Sequence, residues 1–121
     1  MEIVLEQFIR DSDNQVKLVL TEDGIPISGA WDELDIWIGE VHINRTADGD
    51  GVELNTSTGI LTLTPADLLP AERTALAELS TYRRHRVHIV VTSTLNDEGV
   101  VFGGGIGAEM NIYFQVSDKP A

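Results

Sequence analysis

The chain has no cysteine among its 121 residues. Disulfide staples and thiolate chemistry are therefore closed to it, and the composition fits a reducing compartment. Basic residues are scarce: eight Lys and Arg stand against twenty Asp and Glu, for a formal net charge of −12. That sign argues against general affinity for nucleic acid or anionic lipid, both of which require a cationic surplus. No segment approaches the roughly 20 apolar residues that span a bilayer. The opening Met1-Glu2-Ile3-Val4-Leu5-Glu6 places acids where a secretory leader carries a basic region. The expectation is a soluble protein that begins as written, with no signal peptide and no membrane insertion. What is present is ordinary: 42% hydrophobic residues, enough for one domain over 1–121 with a single core.

Turn signals recur along the chain. Asp11-Ser12-Asp13-Asn14, Glu22-Asp23-Gly24, Ala47-Asp48-Gly49-Asp50-Gly51, Thr56-Ser57-Thr58-Gly59 and Asn96-Asp97-Glu98-Gly99 combine Gly with Asn, Asp and Ser. Between them, apolar residues fall on every second position: Val16, Leu18 and Leu20; Leu34, Ile36 and Ile38; Val52 and Leu54; Leu61 and Leu63; Val87, Ile89 and Val91; Ile112 and Phe114. Each set makes one apolar row on a pleated ribbon. Two hairpins are expected, one from 52–55 to 60–64 and one from 87–94 through a turn at 95–99 to 100–102.

One stretch departs from this rhythm. Thr64-Pro65-Ala66-Asp67 places a capping hydroxyl before a proline and an acid. Pro70 falls too deep for one undisturbed helix. The expectation is a short turn at 65–69 followed by a helix near 71–80, favoured by Ala71, Ala75, Leu76, Ala77 and Leu79. The fold class is thus mostly β: an Ig-like antiparallel β-sandwich or a partly open barrel, with one short helical connection near 65–80.

Signatures of catalysis and of cofactors do not complete themselves. Gly103-Gly104-Gly105-Ile106-Gly107-Ala108 matches the dinucleotide-binding string, but a strand pattern, Glu109 to Phe114, follows where a helix must begin. The segment reads instead as a loop, bulge or close backbone approach that could order on meeting a partner. Thr46 to Gly51 has the flavour of a calcium loop, yet Thr46 stands at the first acid and Ser57 where the bidentate Glu belongs. His85 and His88 are three apart in a strand and point to opposite faces, so no metal site is expected. No serine lies in a nucleophile elbow. The carboxylates lie mostly in turns, and nothing selects a hydrolytic pair. The reading is a protein without enzyme activity, cofactor or small-molecule ligand.

The most unusual run is Tyr82-Arg83-Arg84-His85-Arg86-Val87-His88. In a strand, Tyr82, Arg84, Arg86 and His88 share one face, and Arg73 adds a further cation nearby. The resulting basic stripe on an acidic protein pairs with acids on neighbouring strands, meets the acidic face of another subunit or, ranked last, binds nucleic acid or an acidic sugar. Trp37 falls opposite Leu34, Ile36 and Ile38, which places it at a partner surface or under the helix. The candidate interface is therefore Trp37, Tyr82, Arg84, Arg86 and His88, with Gly103, Gly104 and Gly105.

The order of features also carries a resemblance. Phe8-Ile9-Arg10 leads into an acidic turn; Val16 to Leu20 follows; Gly24-Ile25-Pro26 makes a turn; then come Leu34 to Ile38, Gly59-Ile60-Leu61-Thr62-Leu63-Thr64-Pro65-Ala66-Asp67, a Tyr-led strand and a closing strand at Ile112 to Val116. This rhythm resembles the small β-sandwich structural proteins of tailed phages and prophages, found among tail and baseplate components. The resemblance implies a virion building block that self-assembles or binds other virion proteins, made in the host cytoplasm and carried in the particle. It brings no enzyme residues. Two other functions compete: a carbohydrate- or host-surface-binding module using Trp37, Tyr82 and the 103–107 loop, and, ranked last, a small hydrolase with a carboxylate site.

Overall fold

A computed structural model of the chain describes residues 2–22, 25–26, 30–93, 96–102 and 110–118. The strands are β1 (Glu2–Ile9), β2 (Val16–Val19), β3 (Thr21–Glu22), β4 (Ile25–Pro26), β5 (Glu33–Ile38), β6 (Val41–Arg45), β7 (Val52–Asn55), β8 (Ile60–Leu63), β9 (Arg84–Ser93), β10 (Asn96–Phe102) and β11 (Met110–Ser117). The helix α1 (Pro70–Ala77) connects β8 to β9 after a 3-10 turn at Pro65–Asp67.

Two sheets enclose the core. The larger runs β1-β11-β9-β5-β6, with β10 also paired to β9. The smaller runs β2-β8-β7, and β3 and β4 form a short ribbon. The fold is mostly β and sandwich-like, as the alternation predicts. One pair departs from the antiparallel expectation: β1 and β11, from opposite ends of the chain, lie parallel in unbroken register from Glu2 against Met110 to Ile9 against Ser117. Parallel neighbours need a long connection between them, and here the rest of the domain supplies it.

Every apolar row named above faces inward. Val16, Leu18, Leu20, Leu61, Leu63, Val52 and Leu54 are buried from the small sheet's side. Leu34, Ile36, Ile38, Val87, Ile89, Val91, Ile112 and Phe114 are buried from the large sheet's side. Phe8 joins them, its ring stacked 5.6 Å from that of Phe114. At about 25 cal/mol per Å² of apolar area removed from water, this clamp is the main stabilising term.

Three local expectations need correction. The hydroxyl of Thr64 does not cap the 3-10 turn; it accepts a hydrogen bond from Gln15 Nε2 at 3.3 Å instead. The helix starts one residue earlier than expected and stops at Ala77, because Pro70 occupies its first turn, where a missing N–H costs nothing. The turn expected at 95–99 is mostly strand: β10 takes in Asn96 to Gly99 and absorbs their poor strand propensity as a register shift between Asn96 and Val100.

Candidate functional site

Strand alternation gives the large sheet a second face, pointing away from the core. On β9, Val87, Ile89 and Val91 are buried while Arg84 and Arg86 are exposed and His88 is half-buried. On β5 the outward set includes Asp35 and Trp37, and on β6 it is His42 and Asn44. Trp37 sits opposite His42 on one side and opposite His88 on the other. Register thus lays three rings in a row across three strands.

The row is closely packed. The His42 imidazole lies flat on the indole of Trp37, with centroids 4.5 Å apart and planes within 5°. The His88 ring meets Trp37 edge-on at 5.7 Å. Asp35 fixes the outer end, accepting from His42 Nε2 and from Asn44 Nδ2, each at 2.8 Å. One carboxylate therefore orients the imidazole that covers the indole, and Trp37 is packed between two rings on the sheet surface. Its ring partners are two imidazoles and not α1.

Towards β1 the same face becomes cationic and apolar. Arg86 is paired with Tyr113 across β9 and β11, donates to the Tyr113 hydroxyl at 3.2 Å, and lies 5.7 Å from the ring centroid. Among the described residues, neither Arg84 nor Arg86 has an acidic partner. The reading in which neighbouring strands neutralise the stripe thus finds no ion pair. Beyond Tyr113, Leu5 and Ile3 on β1 are 42% and 67% exposed.

The structure unites Trp37, Arg84, Arg86 and His88 on this face and separates Tyr82 and Arg73 from the stripe. Tyr82 precedes β9 with a φ of 59°, so the strand's alternation does not reach it, although its side chain is 73% exposed. Arg73 belongs to α1 and pairs with Asp11 at 2.8 Å. Gly103, Gly104 and Gly105 lie outside the described residues. His85 and His88 do occupy opposite faces: the His85 Nε2–H donates to the Ser80 carbonyl at 2.7 Å. Among the described residues, no three His, Asp or Glu side chains gather as metal ligands. In the acidic turn at 46–51, Asp48 accepts the Leu54 N–H at 2.9 Å.

No protein-family model, curated protein or solved structure matches this chain. Its chemistry is therefore read from the face itself. That face offers aromatic area, two cations with no acidic partner among the described residues, and exposed aliphatic side chains.

Sequence reading missed His42, Asp35 and Asn44. Asp35 lies on the predicted outward row with Trp37, but nothing in the sequence shows that β6 lies beside β5 in the register that sets His42 against the indole.

Proposed function

We propose that this chain is a structural, assembling protein of a phage or prophage particle, acting through protein–protein contacts made by the outer face of the large sheet. One observation carries the contact reading: among the described residues Arg84 and Arg86 have no acidic partner, and they stand beside a packed aromatic row on a chain of net charge −12. An acidic surface, including that of another copy, is the complement such a face selects, and complementary charge sets orientation and register more than raw affinity. The strand rhythm of the sequence, with its Gly59 to Asp67 step, supports the virion assignment.

Light scattering on the eluting protein, across concentrations and salt conditions, tests this reading. Assembly that grows with concentration and weakens with added salt is the expected result. A strict monomer under all conditions overturns it.

The carbohydrate-binding alternative would use Trp37 as a stacking platform. His42 already covers one face of that indole at 4.5 Å, which reduces the area left for a sugar ring. Titration of Trp fluorescence with glycans separates the two readings, and an unchanged signal is expected.

A further inference from the structure

The large sheet has an open end. Its edge strand β1 is eight residues long and pairs only with β11 among the described strands. In any strand, alternate residues turn both N–H and C=O to the same side, so the far side of β1 presents a row of backbone donors and acceptors with no strand to meet them. β1 holds no Pro, no Lys and no bulge, and its register with β11 is unbroken over all eight positions; the protection it does carry is a charge, the half-buried Glu6 on the row of Val4 and Phe8.

The other edges are blunted. β6 has five residues and packs against α1. β10 carries the register shift at Asn96/Val100. The small sheet ends in β2 and β7, with four residues each. Among the described strands the longest regular free edge is β1, and the edge that best matches it in length is another β1.

We infer that β1 of one copy pairs antiparallel with β1 of a second copy, closing a two-fold dimer and joining the two large sheets into one. This rests on the assembly reading and deepens it by naming the partner and the seam. A register centred on Leu5 is self-complementary. It sets Leu5 against Leu5, Ile3 against Gln7, and Val4 against Glu6, so no carboxylate faces another across the seam. On the outer face Leu5 meets its own copy and Ile3, the other exposed aliphatic residue of β1, lies diagonal to the partner's Leu5. Because both partners use the same edge, the contact closes on itself and does not propagate into a filament. It also sets the two Arg84–Arg86–Trp37 faces side by side on one continuous sheet.

The test uses the whole chain with Leu5→Lys and Leu5→Glu, substitutions at a position 42% exposed, each checked for a wild-type far-ultraviolet spectrum. Each alone places like charges on the two-fold axis and is expected to weaken the dimer at least about tenfold in sedimentation equilibrium. Mixed in equal amounts, the two are expected to form a heterodimer, and hydrogen exchange is expected to show alternate β1 amides protected in wild type and in the mixture but not in either variant alone. A dimer that survives in both variants, or a mixture that stays monomeric, overturns the seam. The failures are distinguishable. If Leu5→Lys leaves assembly intact while Arg84→Glu/Arg86→Glu abolishes it, the seam is wrong and the contact-face reading stands. A wild type that is monomeric throughout removes both.

Discussion

Arg45, at the end of β6, points inward and meets Glu72 of α1 through two contacts of 2.6 Å. Its side chain is only 6% exposed, and the same guanidinium reaches the carbonyls of Asn44 at 2.8 Å and Asp50 at 2.8 Å. One cation thus ties the rim of the large sheet, the helix and the turn that carries the chain over to the small sheet. Glu72 also accepts the Leu69 N–H at 3.0 Å, at the start of the helix.

Removing either partner leaves a buried charge without its counter-ion, so Glu72→Ala and Arg45→Ala should each cost about 3–5 kcal/mol in urea unfolding. The double variant should lose less than the sum of the two, since the interaction is shared. The bond to Glu72, more than the opposing desolvation, raises the Arg45 pKa above its ordinary value. A raised folded pKa adds stability that is complete below the unfolded value and is lost only as pH climbs through the folded one. The arginine contribution should therefore stay constant from neutral to moderately alkaline pH. A loss of that contribution near neutrality would contradict the assignment.

Gly51 has a φ of 82°, and a Cβ there would lie 2.7 Å from the Thr64 carbonyl oxygen and 2.9 Å from the Leu68 nitrogen. Gly49, at φ 145°, has nothing within 4 Å of that position. Backbone strain acts at both positions, but a clash with fixed backbone acts at Gly51 alone. Gly51→Ala should cost more than Gly49→Ala, whose cost should stay at about 1–3 kcal/mol. Thermal unfolding of the two variants gives the order directly.

Leu34, Ile36 and Ile89 are fully buried and Leu18 is 3% exposed. Truncating any one to Ala should cost about 2–5 kcal/mol, from lost transfer energy plus the cavity left behind. Chemical denaturation measures each, and a change below about 1 kcal/mol at Ile36 would contradict its place between the sheets.

How far the sequence could be read follows from where period 2 holds. Val87, Ile89 and Val91 are buried and alternate with the less buried Arg86, His88, Val90 and Thr92 because β9 has one inward and one outward face. β1 hides that signal. Ile3, Val4 and Leu5 are consecutive and apolar, since an edge strand can place aliphatic residues on both faces without burying both. In β6 the third inward position is Arg45, so Val41 and Ile43 alone carry the pattern. Glu72 is the third residue of α1 only because the helix begins at Pro70, and nothing in the local sequence marks Arg45 as its partner. The candidate face was half legible. Trp37, Arg84, Arg86 and His88 follow from alternation, whereas the contact of His42 with Trp37 depends on strand order, which no local pattern encodes.

Charge reversal on the outer face separates folding from contact. Arg84 and Arg86 are exposed, and Arg86 donates to the Tyr113 hydroxyl. The variant Arg84→Glu/Arg86→Glu should keep its unfolding midpoint within about 0.5 kcal/mol of wild type, as surface substitutions do.

Sedimentation velocity of wild type beside Arg84→Glu/Arg86→Glu, at matched concentrations and low salt, reads the outer face most directly. Wild type should sediment as assemblies larger than a dimer, and the charge-reversed protein should go no further than the dimer. Equal sedimentation of the two proteins, or an unfolded variant with wild-type assembly unchanged by salt, would contradict a working contact at this face.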